Sequence, residues 1–276
     1  MSVLTQLLSA ERIELDRTVT DWRDGIRAAG VLLEKTHSID SAYTDAMIAS
    51  VEEHGPYIVV APGFAFAHAR PSEAVHETAM SWVRLASPIP FGHESNDPVD
   101  LIVALAAKDS SSHNQAMAAL AKALGKYRTE LNQAQTPEEI QRIWEKASAP
   151  KRTEQHSAVG SQQEVAKNTA ATNASPATQA KTNDKILTVC GNGLGTSLFL
   201  KNTLEQVFDT WGWGPYMTVE ATDTISAKGK AKEADLILTS GEIARTLGDV
   251  GIPVHVINDF TSTEEIDAAL RERYDI

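Results

Sequence analysis

One cysteine and one histidine–arginine pair carry most of the chemistry this sequence offers. Cys190 opens a glycine-rich loop, Cys190-Gly191-Asn192-Gly193-Leu194-Gly195-Thr196-Ser197. The loop lies between an apolar run, Ile186-Leu187-Thr188-Val189, and a helix-like one, Leu198-Phe199-Leu200. A strand–loop–helix of this kind aims several backbone N–H groups at one spot, at the positive end of a helix dipole. Its small residues let the backbone approach a bound anion. A cysteine at the mouth of such a nest suits attack by a thiolate on a phosphoryl group. A lone cysteine is more often a buried, inert thiol. Three glycines directly after it, between strand and helix, favour the anion-binding reading.

The second candidate is His68, in Pro62-Gly63-Phe64-Ala65-Phe66-Ala67-His68-Ala69-Arg70-Pro71. The alternation of aromatic residues and alanine suggests an extended segment that delivers His68 to a turn. Imidazole can act as nucleophile or base near neutral pH, and the guanidinium of Arg70 can hold a phosphate bidentately. The same residues also describe a packed histidine with an incidental arginine. His113 follows Lys108-Asp109-Ser110-Ser111-Ser112 at a helix start. It is either a second imidazole that contacts the phosphoryl group or orients His68, or an exposed first-turn residue. His93 sits in a loop, and His37, His54, His76 and His255 have no evident partners. His156 falls in a polar segment. No spacing reads as a zinc site, and no metal or cofactor is implied.

These side chains need elements to hold them, and the chain divides into two parts around a polar stretch. In the first part, apolar periodicity predicts helices over 21–34 and over 40–53, with Asp40 as the cap of the second. Strands are expected over 57–60, 79–85 and 101–105. A helix capped by Ser111 or Ser112 should run over 113–124, and Thr136-Pro137-Glu138-Glu139 should open a last helix. The second part alternates strictly. Strands over 185–189, 216–221, 235–238 and 254–257 have helices between them, and a final helix covers 262–273. This pattern predicts a parallel sheet with helices on both faces and ligands at the carboxyl ends of its strands, where Cys190 would sit. Between the parts, residues 150–184 lack large apolar side chains. Such a segment should be a flexible linker, whose coil span of about 30–35 Å lets the two parts dock.

The chain has 276 residues and a formal net charge of −12, which argues against duplex nucleic acid or anionic lipid as the main partner. No apolar run approaches the roughly 20 residues needed to span a bilayer. The start, Met1-Ser2-Val3-Leu4-Thr5, does not read as a signal peptide. A single cysteine fits a reducing compartment, so the expected location is the cytoplasm.

Residues 57–125 resemble an enzyme IIA of the bacterial phosphoenolpyruvate-dependent sugar phosphotransferase system (PTS), of the mannitol–fructose type. The resemblance rests on Pro62 to Pro71, on Val99-Asp100-Leu101-Ile102-Val103-Ala104-Leu105 and on Asp109-Ser110-Ser111-Ser112-His113. Residues 185–247 resemble an enzyme IIB, through Val189 to Ser197 and Ala234-Asp235-Leu236-Ile237-Leu238-Thr239. His68-Ala69-Arg70-Pro71 and Cys190-Gly191-Asn192-Gly193 with Gly195 look closest to the ascorbate branch.

The resemblance implies an α/β protein of two domains. Residues 1–149 would form a mixed-sheet EIIA type-2 domain, and 185–276 a four-stranded parallel, Rossmann-like or flavodoxin-like EIIB domain. It implies that the carrier protein HPr phosphorylates His68, that His113 is the second active-site histidine, and that Cys190 is a phosphocysteine. Residues Gly191, Asn192, Gly193, Leu194, Gly195, Thr196 and Ser197 would cradle the phosphate. From Cys190 the group would pass to a sugar, ascorbate or a related one, held by a membrane IIC permease with which the chain associates peripherally. A homodimer is compatible with this scheme. Mannitol-type IIA domains carry an arginine upstream of the active histidine. Here no Lys or Arg lies between Lys35 and Arg70, which leaves Arg70 as the candidate substitute. Two rival functions are a regulatory phosphorelay module acting on a protein partner and a cysteine phosphatase. A phosphatase needs an arginine ending the loop, where Thr196 and Ser197 stand.

Overall fold

The computed structural model describes residues 6–148, 184–190 and 195–274. The expected linker over 150–184 lies outside the described residues except for Asp184, as do Gly191, Asn192, Gly193 and Leu194 of the cysteine loop.

The first half is a five-stranded mixed sheet. Its strands are β1 (Ile13–Arg17), β2 (Val59–Ala61), β3 (Phe64–His68), β4 (Ala79–Ile89) and β5 (Val99–Ala106), in the order β1-β4-β5-β3-β2. β3 runs parallel to β5, with His68 opposite Leu105, and antiparallel to β2. Side chains alternate between the faces. Phe64 and Phe66 of β3 and Leu101, Val103 and Leu105 of β5 enter one apolar cluster. Ala65, Ala67, Ile102 and Ala104 enter the other, beneath α1 (Trp22–Lys35) and α2 (Ser41–His54). The small residues of β3 therefore face the helix pair, and its large ones face the opposite layer. α1 and α2 approach closely at Gly30, where an added Cβ would lie 2.3 Å from Thr44 Oγ1.

Several helix ends differ from the sequence reading. Asp40 occupies the position before α2 but caps no amide; its carboxylate takes His76 Nε2 at 3.0 Å instead. His76 thus has a partner that its sequence context hides. The helix bearing His113, α3 (Ser110–Gln133), is capped by Asp109 rather than by Ser111 or Ser112. The Asp109 carboxylate accepts from Ser112 N at 2.7 Å. α3 also runs nine residues beyond Leu124, because Tyr127 and Leu131 remain buried past a kink at Tyr127. α4 (Pro137–Ser148) starts as read, with Glu139 N donating to Thr136 Oγ1 and Gln135 N to the Glu139 carboxylate, a reciprocal cap. β1 has no counterpart in the sequence reading. It is a five-residue edge strand, parallel to β4 with Ile13 opposite Trp82.

The second half is a four-stranded, all-parallel sheet of β6 (Lys185–Cys190), β7 (Thr218–Asp223), β8 (Leu236–Thr239) and β9 (Val254–Val256), in the order β7-β6-β8-β9. One face carries α5 (Gly195–Trp211) and α8 (Thr263–Tyr274). The other carries α6 (Thr224–Lys230) and α7 (Gly241–Leu247). This is the doubly wound arrangement that the alternation predicts. β7 starts two residues late because the amides of Tyr216 and Met217 turn back to the Trp213 carbonyl.

The halves pack against each other. α3 lies beside α5, and one apolar cluster runs from Phe64, Phe66 and Leu124 through Phe199, Leu204 and Phe208. Around it, Phe260 N donates to Val60 O at 3.0 Å and Asn96 Nδ2 to Asn258 O at 3.0 Å. Arg128 reaches Thr261 Oγ1, and Arg245 pairs with Glu94 at 3.0 Å. Among the described residues no helix is long and apolar enough to cross a membrane.

Candidate active site

His68 is the last residue of β3, and its ring is fixed from several sides. Its Nδ1 lies 3.0 Å from the Phe66 carbonyl. A carbonyl can only accept, so Nδ1 carries the proton and Nε2 presents its lone pair. Around the imidazole stand Phe66 (ring centroids 5.1 Å apart), His113 (5.6 Å) and Tyr57 (6.0 Å, edge-on at 82°). The backbone beyond His68 is pinned by Tyr43. The Tyr43 hydroxyl lies 2.9 Å from the Ala69 carbonyl and 3.0 Å from that of Leu105, and accepts from Ala69 N at 3.2 Å. Burial pushes that hydroxyl up to about 12, so it stays protonated and keeps its role as a donor.

His113 stands in the first turn of α3, and the structure brings it to His68. Burial, reinforced by the neighbouring His68, pushes its pKa down to about 4. Burial also lowers His68, opposed by its bond to the Phe66 carbonyl. Both imidazoles are therefore neutral at pH 7, the state a nitrogen nucleophile needs. Arg70 is exposed on the rim of the same cleft, together with His54, Ser72 and Asn114.

Cys190 ends β6, opposite Asp223 of β7, and is buried. Beyond the undescribed part of the loop, Gly195 opens α5, and Thr196 and Ser197 are buried in its first turn. Thr188 Oγ1 donates to the Ser197 carbonyl at 2.8 Å, tying β6 to α5, and Thr239 Oγ1 to the Val189 carbonyl at 2.7 Å, tying β8 to β6. The cavity at Cys190 is built from both halves. Tyr57, His93 and Asn96 come from the first, and Thr196, Ser240, Arg245 and Asn258 from the second. Sequence reasoning had no means of finding Tyr57, Asn96 or Arg245, because their place beside Cys190 follows from how the halves dock. Among the described residues no group of His, Cys, Asp and Glu is arranged to hold a metal ion.

Two reactive centres on separate sheets, a neutral imidazole and a strand-end cysteine, suit a carrier of phosphoryl groups, and comparison with known proteins gives the family. The family described as phosphoenolpyruvate-dependent sugar phosphotransferase system, EIIA 2, matches residues 6–147. The PTS system lactose/cellobiose-specific IIB subunit family matches residues 185–272. The chain belongs to the EIIA 2 family and fuses to it a IIB domain, so it is a phosphotransferase component of a sugar PTS.

The chain is 36% identical over 115 residues to the ascorbate-specific PTS system EIIA components of Shigella boydii serotype 4 (strain Sb227) and Salmonella choleraesuis (strain SC-B67). Each match covers 42% of this chain and 75% of the relative. A solved mannitol-specific cryptic phosphotransferase enzyme IIA from Escherichia coli is 29% identical. That match covers 52% of this chain and 98% of the other, with a TM-score of 0.48.

Proposed function

We propose that the chain relays phosphate from phospho-HPr to His68 Nε2, from there to Cys190 Sγ, and on to a sugar bound by a membrane IIC permease. Residues 1–149 and 185–276 would act as the two carriers, joined by 150–184, working in the cytoplasm against that permease. The observation that carries this reading is the docking of the halves. It sets the Cys190 cavity against Tyr57, whose ring edge packs on His68. The chemistry balances without a metal. A thiolate attacks phosphorus, the N–P bond breaks, and His68 departs as a neutral imidazole because Nδ1 already holds its proton against Phe66 O. Positioning and fixed dipoles supply most of the catalysis in such a transfer. Thr196, Ser197 and Gly195 would contribute backbone N–H groups at the start of α5. His113 would support the group on His68, and Arg70 would meet it at the rim. The cargo would be ascorbate or a related sugar, on the strength of the EIIA relatives.

The test is incubation with phosphoenolpyruvate, enzyme I and HPr, followed by mapping of phosphorylated residues. Label should appear on His68 and Cys190. His68→Ala should abolish labelling of the whole chain, whereas His113→Ala should slow it. Undiminished labelling of the His68 variant would overturn the proposal.

A further inference from the structure

Tyr57 stands where the two reactive centres come closest to sharing a wall. It is not part of β2: Val59 N turns back to the Pro56 carbonyl, and the half-buried Tyr57 side chain packs at the margin of the cluster beneath α1 and α2. Its ring edge meets His68 at 6.0 Å and 82°, and His54 packs on it edge-on at 6.1 Å. The hydroxyl is anchored 2.7 Å from Ser50 Oγ on α2. The same side chain lines both the cleft that exposes His68 and the cavity that holds Cys190. Among the described residues, Tyr57 is the one aromatic ring that both lines the Cys190 cavity and packs on the His68 ring.

We infer that Tyr57 is the positioning residue for transfer between the carriers, fixing the His68 imidazole against the wall that its cleft shares with the Cys190 cavity. The inference rests on the relay proposed above and deepens it. The Nδ1 bond to Phe66 O fixes the tautomer and one pivot, but a ring held at one atom still swings. A flat edge locked from the side by an anchored phenol removes that freedom. Phosphoryl transfer is sensitive to such alignment, since little covalent chemistry is left for the protein to do. Burial holds the phenol above its ordinary pKa, so Tyr57 brings no negative charge to a path taken by a dianion.

The experiment separates loading from passage. Full-length protein is charged by phospho-HPr. The amplitude of His68 phosphorylation is then read, together with the first-order appearance of phosphate on Cys190. Tyr57→Leu keeps apolar bulk and removes the flat edge. It should load His68 to the wild-type amplitude and slow arrival at Cys190 about 10- to 100-fold. Tyr57→Phe keeps the edge but loses the Ser50 anchor, and should recover most of the passage lost in Tyr57→Leu, a rescue that a general loss of stability would not produce. Should Tyr57→Leu fail to fold, Tyr57→Met serves in its place with the same expectation. Wild-type passage in the leucine or methionine protein, or loss of loading and passage in equal proportion, would overturn the role of Tyr57. Wild-type protein that loads His68 yet never labels Cys190 would overturn the relay itself.

Discussion

Phe199 of α5 packs on Phe66 of β3 with ring centroids 6.1 Å apart, and the Phe66 carbonyl holds the proton on His68 Nδ1. One residue therefore joins the docking of the second half to the geometry of the imidazole. Both rings are fully buried, and Phe64 lies 6.2 Å from the same Phe199.

Removing that plug should separate docking from folding. Phe199→Ala deletes a buried aromatic ring at the junction, and truncations of this kind cost about 3–5 kcal/mol. We predict a lowered midpoint in urea for the second half, and slower passage of phosphate to Cys190 with His68 loading largely kept. A variant with wild-type stability and passage would show that the junction is not packed as described.

The extent of the apolar contact bears on the segment 150–184. If that segment only keeps the halves near each other, a chain cut near Ala171 should yield two fragments that remain bound through α3 and α5 and co-elute on size exclusion. Phosphate should then pass between them at a rate independent of dilution until the complex dissociates. Fragments that elute apart, with a rate that falls on every dilution, would mean that the contact across Phe199 is too weak to hold them.

The histidine pair sets a pH window. Burial holds both imidazoles neutral in the native protein, with His113 at about 4 against an ordinary 6.5. The unfolded chain binds protons as pH falls below that ordinary value, while the native state does not. Stability should therefore decline from about pH 6.5 toward pH 4 and be insensitive to these groups above pH 7. Denaturant melts at half-unit pH steps would show the slope, and His113→Gln should make it shallower. A slope of the opposite sign would mean that the pair is stabilised in its charged form. By the same argument, His68 loading should persist below pH 6.5, because burial favours the neutral ring whose Nε2 keeps its lone pair.

Much of this arrangement could be read before any coordinates. The strand–loop–helix at Cys190 and the alternation in Phe64-Ala65-Phe66-Ala67-His68 are local patterns. Their periods follow from backbone geometry. The second half, strictly alternating, yielded all four of its strands. What stayed hidden was non-local. β1 is too short to show a period and exists because β4 offers it an edge. Asp40 has the right residue type and position for a cap, yet His76, 36 residues away, takes its carboxylate. Asp109 outcompetes the serines as a cap because its carboxylate binds both the amide and the hydroxyl of Ser112. Tyr57 and Arg245 line one cavity with Cys190 only because the halves meet, and no spacing in one half encodes that.

The final prediction concerns what happens when Cys190 cannot accept. In Cys190→Ser, a hydroxyl replaces the thiol, and it needs a base to become a nucleophile. Among the described residues, the imidazole lining that cavity is His93. Its Nδ1 accepts from the amides of Ser95 and Asn96 at 3.3 and 3.2 Å, which places the ring proton on Nε2 and engages the Nδ1 lone pair with two backbone donors. We expect the serine to stay protonated, and phosphate to accumulate on His68 to full occupancy without moving on. Phosphosite mapping by mass spectrometry, with acid lability marking the histidine-bound group, reads this directly. A melting temperature recorded alongside separates a block in transfer from the cost of placing a hydroxyl in the buried Cys190 position. Passage onward from the serine protein at the wild-type rate would return Cys190 to the class of inert buried thiols.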